Sequence, residues 1–392
     1  MTHAEILKKL PKLRALVIGD ICLDRWCTYQ PRLTEASRET GLPRTAVTHV
    51  ESTAGAAGTV ASNLADLGVG EVALMGAIGA DGFGFELKRA LARRNISTEW
   101  VREVPGYLTF TYTKLINGRT GDEDLGRVDF VPDGPAPAEV EAGIVHDLPR
   151  AVEEFDAIYV ADQAETENGG LISPVIREVL DLLAREHPAK IFFADSRLRI
   201  DQFRNLILKP NEAEAALVCS TRFGDPRGYA ALREHTRAPL VFVTHGGSGV
   251  TWLDDTQEHF LITEKIAQPV DICGAGDSFS AGCGMALAAG ASPAEAAYFG
   301  HAVASVTVMK KGTGTATPAE VLALRLPVAR RKRVAPAAVP QTAEGRKRAG
   351  RRKPIALGKA PQGAAKSKNK PSSLAAKASP RRSSNEKNRH RG

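Results

Sequence analysis

The stretch Asp271-Ile-Cys-Gly-Ala-Gly-Asp-Ser-Phe-Ser-Ala-Gly-Cys-Gly284 sets an acid directly behind a glycine-rich turn. Free N–H groups at such a turn, together with the dipole of the helix that follows, favour bound negative charge. A carboxylate at Asp277 would repel a phosphate at rest, but it suits a phosphoryl group in motion. Asp277 can take the proton of an incoming hydroxyl while Gly274, Ala275 and Gly276 face the charge that develops on the transferring oxygens. A helix over 276–289 is expected to carry the acid, with Ser280, Ala281, Gly282 and Gly284 small enough for close packing. A dinucleotide fingerprint fits worse: its third glycine falls at Gly282, three residues late, and the polar IAQPVD stands where a strand should precede it. A capped helix with an incidental acid is the bland alternative.

These residues need a frame. The apolar runs ALVIGD (15–20), VALMGAIG (72–79), AIYVAD (157–162), KIFFAD (190–195), LILK (206–209) and LVFVT (240–244) read as buried strands. Helical patterns fall at 60–68, 82–94, 172–186 and 211–218. Their alternation predicts a parallel sheet with helices on both faces. Three runs end in Asp20, Asp162 and Asp195, at the carboxyl strand ends where open α/β sheets build their sites. Segments 25–50 and 98–130 read as strands without intervening helices and are expected to form a small β lid.

Composition narrows the class. With 43% hydrophobic and 25% charged residues the chain reads as globular. It shows no signal-peptide pattern and no run of membrane-spanning length. Cys22, Cys27, Cys219, Cys273 and Cys283 are scattered, with no CxxC pair, so reduced thiols and a cytoplasmic setting are expected. Residues 330–392 hold 20 Lys and Arg against Glu344 and Glu386, while the rest holds 32 basic and 43 acidic residues. A domain over 1–328 followed by a disordered basic tail over 329–392 is therefore expected. Such a tail attracts nucleic acid or an anionic surface; lacking aromatic residues to stack on bases, it would bind without sequence preference.

The sequence resembles the PfkB/ribokinase family of carbohydrate kinases. VDICGAGDSFSAG is similar to the family's C-terminal signature, and AGAAGTVASNLADLG (54–68) to its glycine-rich sugar-binding motif. GAIGADGFG (76–84), LKPNEAEA (208–215) and VTHGGSGV (243–250) resemble further family motifs in the expected order. The resemblance implies a ribokinase-like three-layer αβα fold with a mostly parallel sheet and a β lid. It implies ATP and Mg²⁺, with Asp277 as base and Gly274–Gly276 as anion hole. Asn211, Glu214, Thr244, Gly246 and Gly249 would serve the nucleotide, Glu214 reaching Mg²⁺ through water, and His301 would lie near the adenine. Asp20, Gly55 and Asp162 would serve the sugar. Asp271 would begin a loop for a monovalent cation such as K⁺, and a homodimer is expected.

GDICLDRW (19–26) resembles the start of the heptose 7-phosphate kinases, so Asp24 and Arg25 would help hold a phosphorylated sugar. A kinase of an unphosphorylated sugar or a nucleoside is the nearest alternative. Read bottom-up, Asn211 also makes a natural helix cap and Thr244–Gly249 a plain turn. A reading of another class is a silent kinase fold associated with nucleic acid through its tail; the intact Asp277 and glycine turn argue against it.

Overall fold

The computed structural model describes residues 1–132, 134–165, 169–263, 266 and 268–324, with the backbone of 330–333. The chain divides into two units, Met1–Ala337 and Ala338–Gly392. The second unit, and with it most of the expected tail, lies outside the described residues.

In chain order the elements of the first half are α1 (His3–Lys9), β1 (Arg14–Gly19), β2 (Ile21–Tyr29), β3 (Val47–Ala56), α2 (Ala57–Asp66), β4 (Glu71–Gly79), α3 (Gly82–Ala92), β5 (Ser97–Val104), β6 (Phe110–Asn117), β7 (Val128–Phe130), α4 (Ala138–Glu154), β8 (Ala157–Asp162) and α5 (Pro174–Glu186). Then come β9 (Ile191–Ser196), β10 (Ile207–Leu208), α6 (Glu212–Phe223), α7 (Tyr229–Thr236), β11 (Val241–Thr244), β12 (Gly249–Leu253), β13 (Glu258–Ile262), α8 (Ala275–Ala288), α9 (Pro293–Thr307), α10 (Pro318–Ala323) and β14 (Arg330–Arg333). The large sheet runs β14-β13-β12-β11-β10-β9-β8-β1-β4-β5. It is parallel from β11 to β5 and antiparallel across β11, β12, β13 and β14.

The central strands are continuous apolar runs because both faces of the sheet are covered. Successive side chains of a strand point to opposite faces. Ala15 and Val17 therefore join one core with α1, α2, α8 and α9, while Leu16 and Ile18 join another with α4, α5 and α7. Helices α8 and α9 approach closely through small residues. A Cβ on Gly282 would lie 2.8 Å from Val303 Cγ2 and 3.1 Å from Gly300 Cα.

A smaller sheet runs β3-β2-β6-β7, with β2 antiparallel to β3 and parallel to β6. It takes in parts of the two segments expected to form a lid: 25–29 and 47–50 of the first, and Phe110–Asn117 and Val128–Phe130 of the second. The start of the second segment differs: Ser97–Val104 pairs with β4 and closes one edge of the large sheet. Arg330–Arg333, expected to be part of a disordered tail, pairs instead with β13. Among the described residues no helix is long and apolar enough to cross a membrane, and all five cysteines are free, with only Cys273 exposed.

Candidate active site

The glycine turn is built by backbone conformation. Gly274 sits at φ +75°, in the left-handed region, and starts α8 one residue ahead of the helix. That φ favours glycine, and a Cβ there would also stand 3.2 Å from Thr59 Cγ2, a tight contact. Of the first N–H groups of α8, that of Ala275 donates to the Ile272 carbonyl at 3.2 Å, while those of Gly276 and Asp277 have no partner within the helix, as at any helix start. Asp277 stands in that first turn. Burial, reinforced by the charge of Asp195, pushes its carboxyl up to about 7, against the pull of Lys209 and Arg197. A carboxylate held near neutrality suits a general base working at neutral pH.

Beneath the turn lies a buried cation. Lys209, just past β10, pairs with Asp195 of β9 at 2.8 Å. A Cβ on Gly276 would stand 3.4 Å from its Nζ. Burial disfavours the Lys209 charge, yet Asp195, Glu214 and Asp277 outweigh this and hold its pKa above the usual value. Ser280 Oγ donates to Asp195 at 3.3 Å and ties the pair to α8.

Two cavities meet at Asp277. One, of about 580 Å³, is lined by Asn211, Glu214, Thr244, Gly246 and His301, with Val250, Ile272 and Val308 as an apolar wall. The other, of about 390 Å³, lies against the small sheet and is lined by Asp24, Arg25, Lys114 and Arg127. Gln163, Arg197, Gly274 and Asp277 line both.

In the larger cavity Asn211 and Glu214 form a reciprocal cap on α6. The Glu214 N–H donates to Asn211 Oδ1 at 2.9 Å, and the Asn211 N–H donates to Glu214 Oε2 at 2.7 Å. The capping reading of Asn211 and its place beside the cavity thus hold together. Burial and Asp195 raise the Glu214 carboxyl above its usual range. Paired oxygen donors of this kind suit a hard divalent cation. Among the described residues no three His, Cys, Asp or Glu gather into a group that could hold a metal ion. His301 is buried within hydrogen-bond reach of Ser305 Oγ, 3.3 Å away, and burial lowers its pKa to about 4. Its ring is neutral at physiological pH.

In the smaller cavity, burial raises Asp24 to about 6. Gly55 packs beneath it without lining the cavity: a Cβ there would fall 2.6 Å from Asp24 Oδ2. Arg25 is held by Glu86 at 3.3 Å and lies over the Phe83 ring. Ala56, which also lines this cavity, adopts φ +53° at the β3–α2 junction, a strained conformation for a residue with a Cβ.

Four more expected site residues line neither cavity. Asp20 lines neither cavity; its carboxylate accepts the N–H groups of Gln163, Ala164 and Leu171 and so fixes the loop leaving β8. Asp162 is fully buried and accepts from Arg199, at 2.5 and 3.0 Å, and from Ser196 Oγ at 2.6 Å. Gly249, at φ +136°, serves the β12–β13 pairing, where a Cβ would lie 2.1 Å from the Leu261 carbonyl. Asp271 accepts the N–H groups of Cys273 and Gly312 and braces the loop before α8. Conversely, Lys209, Asp195, Arg197, Lys114 and Arg127 were not expected at a site. Of these, Asp195 carried a signal as the acid ending a strand run, and Lys209 lay within the LKPNEAEA motif without being singled out.

The layered αβα body thus sets an acid in the first turn of a glycine-led helix, between two cavities. The family model for pfkB family carbohydrate kinases matches residues 12–320, and the chain belongs to that family. It is a sugar kinase; kinases of this family use ATP and a divalent metal. The bifunctional protein HldE of Trichlorobacter lovleyi is 27% identical over 81% of this chain and 64% of its own length. That of Nitrosococcus oceani is 30% identical over 82% of this chain and 65% of its own. The chain thus spans a little under two thirds of these relatives. Phosphofructokinase-2 of Escherichia coli, solved in complex with potassium, superposes with a TM-score of 0.60 at 18% identity, covering 79% of this chain and 97% of that one. Thermotoga maritima ribokinase gives 0.59 at 19% identity, covering 79% and 98%. These two likenesses establish the ribokinase-like fold.

Proposed function

We propose that the chain transfers the γ-phosphoryl group of ATP to a hydroxyl of a phosphorylated sugar, with heptose 7-phosphate as the leading candidate. The observation that carries this reading is that Asp277 and Gly274 line both cavities. A nucleotide in the larger cavity and an acceptor in the smaller would meet at one acid and one set of N–H groups. Asp277 takes the hydroxyl proton, the new oxygen–phosphorus bond forms, and the bond to the departing ADP oxygen breaks while the α8 N–H groups face the transferring oxygens. Thr244 and Gly246 would border the nucleotide, with His301 offering a neutral ring.

Glu214 would hold Mg²⁺ through water, with Asp195 nearby; a bound Mg²⁺ neutralises phosphate charge. Asp271 braces the loop at which K⁺ would sit, and turnover with and without K⁺ tests that role. Lys114, Arg127 and Arg25 in the smaller cavity support an anionic acceptor, since Arg and Lys are the usual phosphate partners. The likeness of GDICLDRW to heptose 7-phosphate kinases supports the same choice.

The test is an ADP-release screen over sugars, sugar phosphates and nucleosides, heptose 7-phosphate included. The expected result is the highest kcat/KM with a sugar phosphate. Better turnover of a neutral sugar or a nucleoside would overturn the acceptor assignment.

A further inference from the structure

Where the two cavities join, one cation is unaccounted for. We propose that Arg197 is a catalytic residue that clamps the phosphoryl group in transit. This rests on the phosphoryl-transfer reading and is independent of which sugar accepts.

Of the four residues lining both cavities, Arg197 is the only cation. It follows β9 directly, and its backbone N–H donates to the Asp162 carbonyl at 3.2 Å. Its Nε donates to Gln163 Oε1 at 2.8 Å and its Nη1 to Glu165 Oε1 at 2.8 Å. Two of the three nitrogens are thereby held, and Nη2 has no hydrogen-bond partner among the described residues. The side chain is half exposed, so its charge is available to a ligand. It also acts on the groups around it, drawing down the carboxyls of Asp277 and Glu214.

The chemistry needs a donor at this place. In transfer, negative charge spreads over three equatorial oxygens. The α8 N–H groups approach from one side only. Lys209 is buried, committed to Asp195, and lines the larger cavity alone. A guanidinium held at Nε and Nη1 and open at Nη2 can offer that nitrogen to the oxygens between the two cavities, and it stays charged at every working pH. Arg197 exchanges no proton in the step: the hydroxyl proton goes to Asp277 and the bonding pair leaves with ADP. Arginines placed beside a transferring phosphoryl group in other phosphotransferases contribute about 10³- to 10⁵-fold to turnover.

The test compares binding of Mg·ADP with binding of Mg·ADP plus aluminium fluoride, a mimic of the transferring group, by calorimetry on the full chain. Arg197→Ala should weaken the fluoride complex by about 10²-fold while ADP alone stays within about threefold. Turnover should fall by about 10³-fold, and added guanidinium should restore part of it in Arg197→Ala but not in Asp277→Asn. Arg197→Lys, which keeps the charge and loses the fork, should keep the melting temperature yet lose most of the preference for the fluoride complex. It maintains the test should the alanine variant misfold. Equal weakening of both ligands, undiminished turnover, or a turnover loss that guanidinium leaves untouched would overturn the clamp. A wild-type chain that binds both ligands alike would instead overturn phosphoryl transfer itself.

Discussion

The role proposed for Asp277 rests on its surroundings. An ordinary aspartate is too weak a base to help a hydroxyl at neutral pH, but burial and Asp195 bring this carboxyl to about 7. Below that value it is protonated and cannot accept, so kcat should rise with pH through about 7 and then level off. His301 contributes nothing to that limb, because burial lowers its pKa to about 4 and it is already neutral. Asp277→Asn should cut turnover by about 10²- to 10⁴-fold with nucleotide affinity kept. Stability carries the opposite sign. The folded state holds this carboxyl above its unfolded value of about 3.9, so its contribution is full at low pH and is lost as pH rises through about 7. The asparagine, neutral at every pH, should therefore raise Tm relative to wild type more at pH 8 than at pH 5. Initial rates across pH and melts at both values check the two signs, and a flat profile would remove Asp277 as the base.

At the scale of elements, the site depends on how closely α8 can approach its neighbours. Adding one carbon at Gly282 would force α9 outward, since a backbone atom of Gly300 lies 3.1 Å from the new Cβ. Gly282→Ala should cost about 1–3 kcal/mol in chemical denaturation. Gly82→Ala, in the first turn of α3 with open space around it, should be neutral or gain about 0.5 kcal/mol. Equal effects at the two positions would mean that helix spacing is not the cause. The same contrast separates what was legible in the sequence from what was not. The central strands and the α8 turn could be read because burial on both faces leaves unbroken apolar runs, and because a left-handed turn demands glycine. The helix α4, seventeen residues with Pro149 inside it, was missed because proline interrupts the expected pattern. The strand-end acids were legible as positions only. Whether an acid faces a cavity, like Asp195, or an arginine inside, like Asp162, is decided by partners distant in sequence. Lys114 of β6 and Arg127, just ahead of β7, belong to no motif, and only the pairing of β2 with β6 brings the smaller cavity's wall together.

The whole molecule has an uneven distribution of charge that its fold does not require. Residues 330–392 carry 20 Lys and Arg against two acids, whereas the remainder has 43 acids against 32 basic residues. Four of those basic residues belong to β14, on the edge of the large sheet. The other sixteen lie in 334–392, beyond every motif of the kinase. The proposed reaction uses only the cavities at Asp277, so a chain ending after Arg333 should keep its turnover and its melting temperature. Nucleic acid should respond differently. Each phosphate neutralised by Lys or Arg releases counterions, so six to ten contacts would cost about 10³- to 10⁵-fold in affinity between roughly 50 and 200 mM salt. The full chain should bind duplexes of unrelated sequence equally and with that steep dependence, and the shortened chain should not bind. Titrations of both chains at several salt concentrations, run beside the ADP-release assay, separate the outcomes. Binding that survives the truncation would move the nucleic-acid surface onto the folded body, and turnover lost with residues 334–392 would make the basic segment part of the kinase.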